Sequence, residues 1–107
     1  MNIKEILNNS HFELINETNN LESTINKLFA SDLMSHVMGF AETGDCLITV
    51  LNNINALGVA SLLDFTGIIF SHGVKVNQQI IDKANELDLP ILFTKLTTVE
   101  VILELQK

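Results

Sequence analysis

Three short apolar runs separated by helix-length intervals constrain this chain more than any other feature. Residues 46–50 (CLITV), 67–71 (GIIFS) and 91–94 (ILFT) are largely apolar and bounded by turn residues. A strand that is apolar on both sides of its pleat needs cover on both faces, which is the pattern of a parallel sheet enclosed by helices. The intervals at 53–65 and 77–89 are long enough to be those helices. In the second, Ile80, Ile81, Ala84 and Leu87 form an apolar stripe, while Gln78, Gln79, Asp82, Lys83 and Glu86 face water. Strand, helix, strand, helix, strand predicts parallel neighbours joined by right-handed crossovers. The expected class is α/β, a small and predominantly parallel sheet with flanking helices.

Local signals extend this pattern in both directions. Pro90 marks the stop between the second helix and the third strand. Thr97 and Glu100 have the spacing of a capping box, opening a final helix that runs to about Leu105. The first third is less patterned; it predicts a short helix over 3–8 and strands over 12–15 and 27–30. At 107 residues the chain suits one domain with a real core, so 1–107 is read as a single domain. With 47% apolar and 18% charged residues, no segment has the composition of a disordered one.

Several function classes lose support on composition alone. A net charge of −7, with six scattered lysines, repels a phosphate backbone and argues against nucleic acid as a partner. The longest nearly apolar stretch, 56–63, is far too short to span a bilayer, and the opening residues carry Glu5 and no signal-like apolar core. A cytoplasmic protein without membrane attachment is expected. Cys46 is the only cysteine, which excludes an internal disulfide or a cluster held by several thiolates; it reads as a small buried strand residue. His11, His36 and His72 lack metal-ligand spacing, and neither GxxxxGK nor GxGxxG is present. No catalytic residue, metal site or cofactor is therefore expected.

Ligand sites in open parallel sheets lie outside the carboxyl ends of the strands, where helix N-termini also present free amides. That rule selects Leu51, Asn52 and Asn53 after the first run, Ser71, His72 and Gly73 after the second, and Thr94 and Lys95 after the third, of which the polar and glycine residues are the candidates. Each has a plain structural reading as well. Asn53 and Thr97 suit helix caps, Gly73 a turn with positive φ, and His72 a hydrogen bond to a loop. Asp32 and His36 are four apart, so a helix spanning both would place a carboxylate beside an imidazole, a weak signal for acid–base chemistry. The 53–65 helix has almost no polar face. Its small residues Ala56, Gly58, Ala60 and Ser61 allow close approach of another helix, either across a homodimer or within the domain.

Four blocks of the sequence resemble the DRTGG domain, particularly its small stand-alone versions: SDLMSHVM at 31–38, TGDCLITV at 43–50, NINALGVASLLDFTGIIFSHG at 53–73 and LDLPILFTKLTTVEV at 87–101. The resemblance covers about residues 21–104. Its most specific parts are Ser31, Asp32, Leu33, Val37, Met38, Gly44, Asp45, Ile48 and Thr49, with the stretch 60–73. Where the naming signature of that family falls, residues 22–27 read ESTINK without the glycine pair, so any role specific to those glycines is not carried over. The resemblance implies an α/β domain related to the N-terminal domain of HPr kinase. In other members it is an accessory module attached to phosphotransacetylases, or set between CBS domains in regulated pyrophosphatases. It adds Ser31 and Asp32 to the candidate set. The expectation is a non-enzymatic regulatory or ligand-sensing domain, a homodimer that binds a nucleotide or phosphorylated metabolite. The alternative is an adaptor that docks on a kinase or redox enzyme through apolar surface such as Phe40 and the 53–65 helix.

Overall fold

In the computed structural model, which describes residues 1–106, the elements follow one another as α1 (Ile3–Ile6), β1 (Glu13–Leu14), β2 (Leu28–Ala30), α2 (Met34–Phe40), β3 (Cys46–Thr49), α3 (Ile54–Leu62), β4 (Gly67–Phe70), α4 (Gln78–Leu87), β5 (Ile91–Phe93) and α5 (Thr98–Leu105). They build one five-stranded sheet in the order β1-β5-β4-β3-β2. Strands β2 to β5 are parallel neighbours in sequence order. Only β1 runs antiparallel, pairing Glu13 with Phe93 and Leu14 with Leu92. The predominantly parallel α/β expectation therefore holds, with the 12–15 strand shortened and set antiparallel on the far edge.

Every residue of β3 and β4 is buried. Their side chains alternate between two cores. Leu47, Ile68, Phe70 and Ile91 pack with Val37 of α2, Leu57 and Ala60 of α3, and Ile80 and Ala84 of α4. On the other face, Cys46, Ile48, Ile69 and Leu92 pack with Ile3 and Ile6 of α1 and Val101 of α5. A strand order that never reverses sends crossovers of one hand to the same face, which is why α2, α3 and α4 share one layer. Each fully buried aliphatic side chain contributes roughly 1.5–3 kcal/mol, so these rows dominate the stability. Gly67 lets α1 lie close on β4: a Cβ there would meet the Pro90 carbonyl oxygen at 3.0 Å and Ile3 Cδ1 at 3.1 Å.

Chain termination follows local chemistry. Asn53 caps α3, its Oδ1 accepting from the Asn55 and Ala56 amides. Asn77 caps α4 through the Ile80 amide, and Asp88 closes that helix in the left-handed region at φ 50°. Thr97 and Glu100 form the expected capping box of α5. Asn2 and Glu5 make a second one on α1 that the sequence reading did not identify. The segment after β1 is clasped to the end of α4. Asn16 donates to the Leu89 carbonyl and accepts from the Ile91 amide, each at 2.9 Å. Asp88 accepts from the Thr18 hydroxyl at 2.6 Å and the Asn19 amide at 3.1 Å, bonds that hold its carboxyl below the ordinary value.

At the amino ends of β2 and β3 sits a buried carboxylate. Asp45 is fully enclosed and accepts from Lys27 Nζ at 2.8 Å, the Glu42 amide at 2.8 Å and Asn26 Nδ2 at 2.9 Å. Asn26 and Lys27 belong to the ESTINK segment, so that stretch anchors the Gly44–Asp45 turn. Burial is the largest single influence on Asp45 and raises its pKa; the Lys27 ammonium, the Glu42 amide and Asn26 together outweigh it and hold the carboxyl below its ordinary value. The ion's contribution is then present above the unfolded value of about 3.9 and is lost as pH falls through the lower folded value. Asp45→Asn removes the charge that pairs with Lys27 and leaves a single oxygen to serve donors that now meet two. Urea unfolding should show this variant about 2 kcal/mol less stable at neutral pH, with the deficit shrinking at acid pH; equal stability at neutral pH would refute the role given to the ion.

Candidate functional site

Parallel strands aim their carboxyl ends the same way, so the loops after β2, β3, β4 and β5 share one edge of the sheet. Ser31, Asp32, Asn52, Asn53, Ser71, His72, Gly73, Thr94 and Lys95 all lie in those loops. Most are occupied by bonds within the fold. Asp32 Oδ1 accepts from the Thr49 hydroxyl at 2.7 Å and the Val50 amide at 2.8 Å, tying the end of β2 to the end of β3. Ser31 Oγ accepts from the Leu33 amide. Asn52 Nδ2 donates to the Lys75 carbonyl at 2.6 Å, joining the loop after β3 to the loop after β4.

The other half of the edge centres on α5. His72 and Gly73 both take positive φ, 61° and 67°. Their amides donate to the Leu96 carbonyl at 2.7 Å and the Thr94 carbonyl at 2.9 Å. The His72 ring lies over the start of α5, where Nε2 accepts from the Thr98 amide at 3.0 Å and meets Thr98 Oγ1 at 3.2 Å. Ser71 is fully buried with its Oγ 3.2 Å from Thr98 Oγ1, and Thr94 Oγ1 accepts from the Leu96 amide. His72 thus occupies the position at a helix N-terminus that an anion would otherwise fill.

Lys95 differs from the rest: it is exposed and enters no hydrogen bond or ion pair among the described residues. Beside it opens a hollow of about 280 Å3 lined by Ser10, His11, Glu13, Phe93 and Lys95. Glu100 lies in the same neighbourhood. The Thr97 amide and then its hydroxyl hold the Glu100 carboxyl below its ordinary value, with smaller contributions from the His11 and His72 rings. Ser10, His11, Glu13, Phe93 and Thr98 were not selected from the sequence. Their only signal is the pairing of β1 beside β5, which a two-residue strand does not announce.

The sequence-level pairing of Asp32 with His36 fails. Helix α2 starts at Met34 with Leu33 as its N-cap, so Asp32 precedes the helix and spends its carboxylate on β3. His36 lies between Phe29 and Phe40, with ring centroids 6.1 and 4.5 Å away. Cys46 is fully buried, and burial followed by the neighbouring Asp45 charge pushes its thiol up to about 12, so it is no nucleophile. Among the described residues, no group of three or more His, Cys, Asp or Glu side chains is placed to hold a metal ion, and no helix is long and apolar enough to cross a membrane.

A three-layer α/β domain with a polar, internally bonded carboxyl edge is the class these features define. The family model of the DRTGG domain matches residues 5–107, essentially the whole chain, and the chain belongs to the DRTGG domain family. No curated protein matches it.

Separation of Asp32 from His36 has a measurable consequence. Asp32→Ala leaves the Thr49 hydroxyl and the Val50 amide without their acceptor and should cost about 1–2 kcal/mol in chemical denaturation. His36→Ala, at an exposed position, should stay within about 0.5 kcal/mol. Equal losses in the two variants would contradict the assignment of Asp32 to the strand ends.

Proposed function

We propose that this domain is a non-enzymatic regulatory or ligand-sensing module that binds a small phosphorylated ligand at the carboxyl edge of its sheet and works as a homodimer. The observation that carries the reading is Lys95, an exposed cation without an internal partner on a chain of net charge −7, placed beside the hollow at the β1–β5 margin. His11 and Ser10 add hydrogen-bonding groups to that hollow, and Phe93 adds an apolar wall. At about 280 Å3 it lies just below the range of roughly 300–1,000 Å3 typical of small-molecule sites. That size favours a compact phosphorylated metabolite over a whole nucleotide. Asp32, Asn52, Asn53, Ser71, His72, Gly73 and Thr94 shape the edge from which Lys95 projects, and Ser31 secures the turn beyond Asp32.

Thermal unfolding against a panel of nucleotides, phosphorylated metabolites and acyl phosphates tests the ligand reading directly. A compound that binds only the folded state adds about 2.7 kcal/mol at roughly 100 times its dissociation constant. The expected outcome is a clear upward shift with one phosphorylated compound, abolished in Lys95→Ala, whose exposed side chain can be removed without disturbing the core. No shift across the panel, or a shift that Lys95→Ala leaves intact, would overturn the site. The adaptor reading, in which the domain docks on a kinase or redox enzyme without a small ligand, would then take its place.

A further inference from the structure

Two charges of opposite sign line the hollow beside Lys95 without pairing. Glu13 and Lys95 both contribute to its wall, and neither side chain enters a hydrogen bond or ion pair with the other or with any described residue. Elsewhere Lys4 is paired with Glu22, Lys27 with Glu42 and Asp45, and Lys83 with Glu86. Glu13 stands directly opposite Phe93 across the β1–β5 pairing, and Lys95 follows Phe93 by two residues. The carboxylate is therefore placed by β1 and the ammonium by the turn after β5, in a hollow whose apolar surface is Phe93.

The acidic side continues along β1. A second hollow, of about 440 Å3, opens between β1 and α4, and Glu13 lines both. Its wall adds Glu17, Gln78, Ile81 and Asn85. Glu17 is exposed and its carboxylate has no partner among the described residues, while its amide donates to Asn85 Oδ1 at 2.7 Å and fixes it against α4. Gln78 donates from Nε2 to Asp82 at 2.8 Å, which leaves its Oε1 as a further acceptor. Through Glu13 the two hollows adjoin, giving a cleft with a cation at the Lys95 end and carboxylates at the other, and with Phe93, Ile15 and Ile81 as its apolar surface.

We propose that this cleft takes a free zwitterionic phosphomonoester, its phosphate on Lys95 and a primary ammonium on Glu13, which rests on the phosphate site proposed above and adds the other end of the ligand. Charge separates the ligand classes. A phosphate without a cationic group gains Lys95 but meets the Glu13 carboxylate in the same hollow, on a chain of net charge −7. A ligand carrying only positive charge meets Lys95 instead. A molecule with both charges gives each wall group a charge-assisted hydrogen bond and leaves neither facing its own sign. The walls also set its reach: a short chain brings the ammonium to Glu13, and a longer one follows Ile15 and Ile81 toward Glu17.

Titration calorimetry with aminoalkyl phosphates of two to six carbons, each set against the hydroxyalkyl phosphate of the same length, measures the ammonium contact apart from the phosphate contact. The tightest aminoalkyl phosphate is expected to bind about fivefold more strongly than its hydroxyl counterpart, the upper end for an exposed ion pair. Glu13→Gln should level the two affinities, and Lys95→Ala should abolish binding of both series. Should Glu13→Gln disturb the short β1 strand, Glu17→Gln is the second variant, expected to remove the preference for the longer aminoalkyl chains. Equal affinity for the two series, or a preference that both glutamine variants retain, overturns the ammonium contact and leaves the phosphate site standing. Binding of neither series overturns the phosphate site and the ammonium contact together. Vesicles of phosphatidylethanolamine present the same ammonium on a phosphodiester and are expected not to retain the protein on sedimentation; retention would assign the cleft to a lipid headgroup and overturn the free ligand.

Discussion

Burial of β3 and β4 on both faces is the constraint from which the rest of the architecture follows. Two rows cross the sheet, Leu47–Ile68–Ile91 on one side and Ile48–Ile69–Leu92 on the other, and each must be covered. Because the parallel strands never reverse their order, their crossovers α2, α3 and α4 all fall on the first row. No crossover remains for the second. The two ends of the chain cover it instead, α1 from the start and α5 from the finish. This explains why so short a helix as α1 has both Ile3 and Ile6 buried, and why β4 opens with a glycine where Ile3 approaches.

The strands buried on two sides were legible because their apolar runs are unbroken and bounded by turn residues. Each ends one residue earlier than the run suggests, since Val50, Ser71 and Thr94 already belong to the turns. Helix starts were legible wherever a side chain does the capping, as at Asn53, Asn77 and Thr97. Helix ends were less so, because left-handed residues at Asp64 and Asp88 stop α3 and α4 without a glycine to signal them. Helix α2, and the short antiparallel form that the expected 12–15 strand takes as β1, escaped for a shared reason. Each owes its conformation to neighbours distant in sequence, β1 to the β5 edge and α2 to the sheet beneath Val37, and neither carries a periodic pattern of its own.

At the carboxyl edge, strand direction alone brought the selected residues together, which is why a rule about sheet topology found them without any motif. It could not find what they bond to. Asp32 reaches Thr49 across 17 positions and His72 reaches Thr98 across 26, and such pairings exist only once strands are in register. Asp45 illustrates the opposite gap. A carboxylate directly before the buried run CLITV is a group that must be neutralised or paired if it goes inside, and the lysine at 27 was available to do so.

Sheet order finally separates two features of the surface. The hollow beside Lys95 lies at the β1–β5 margin and the uncharged flank of α2 at the β2 margin, with β4 and β3 between them. Between them, hydrogen bonds run across the carboxyl edge: Gly73 to Thr94, Ser71 to Thr49, and Thr49 to Asp32. That series ends one residue before Leu33, the N-cap of α2. The turn that closes β2 is thus also the turn that sets the direction of α2, and the bond from Thr49 to Asp32 ties it to the end of β3.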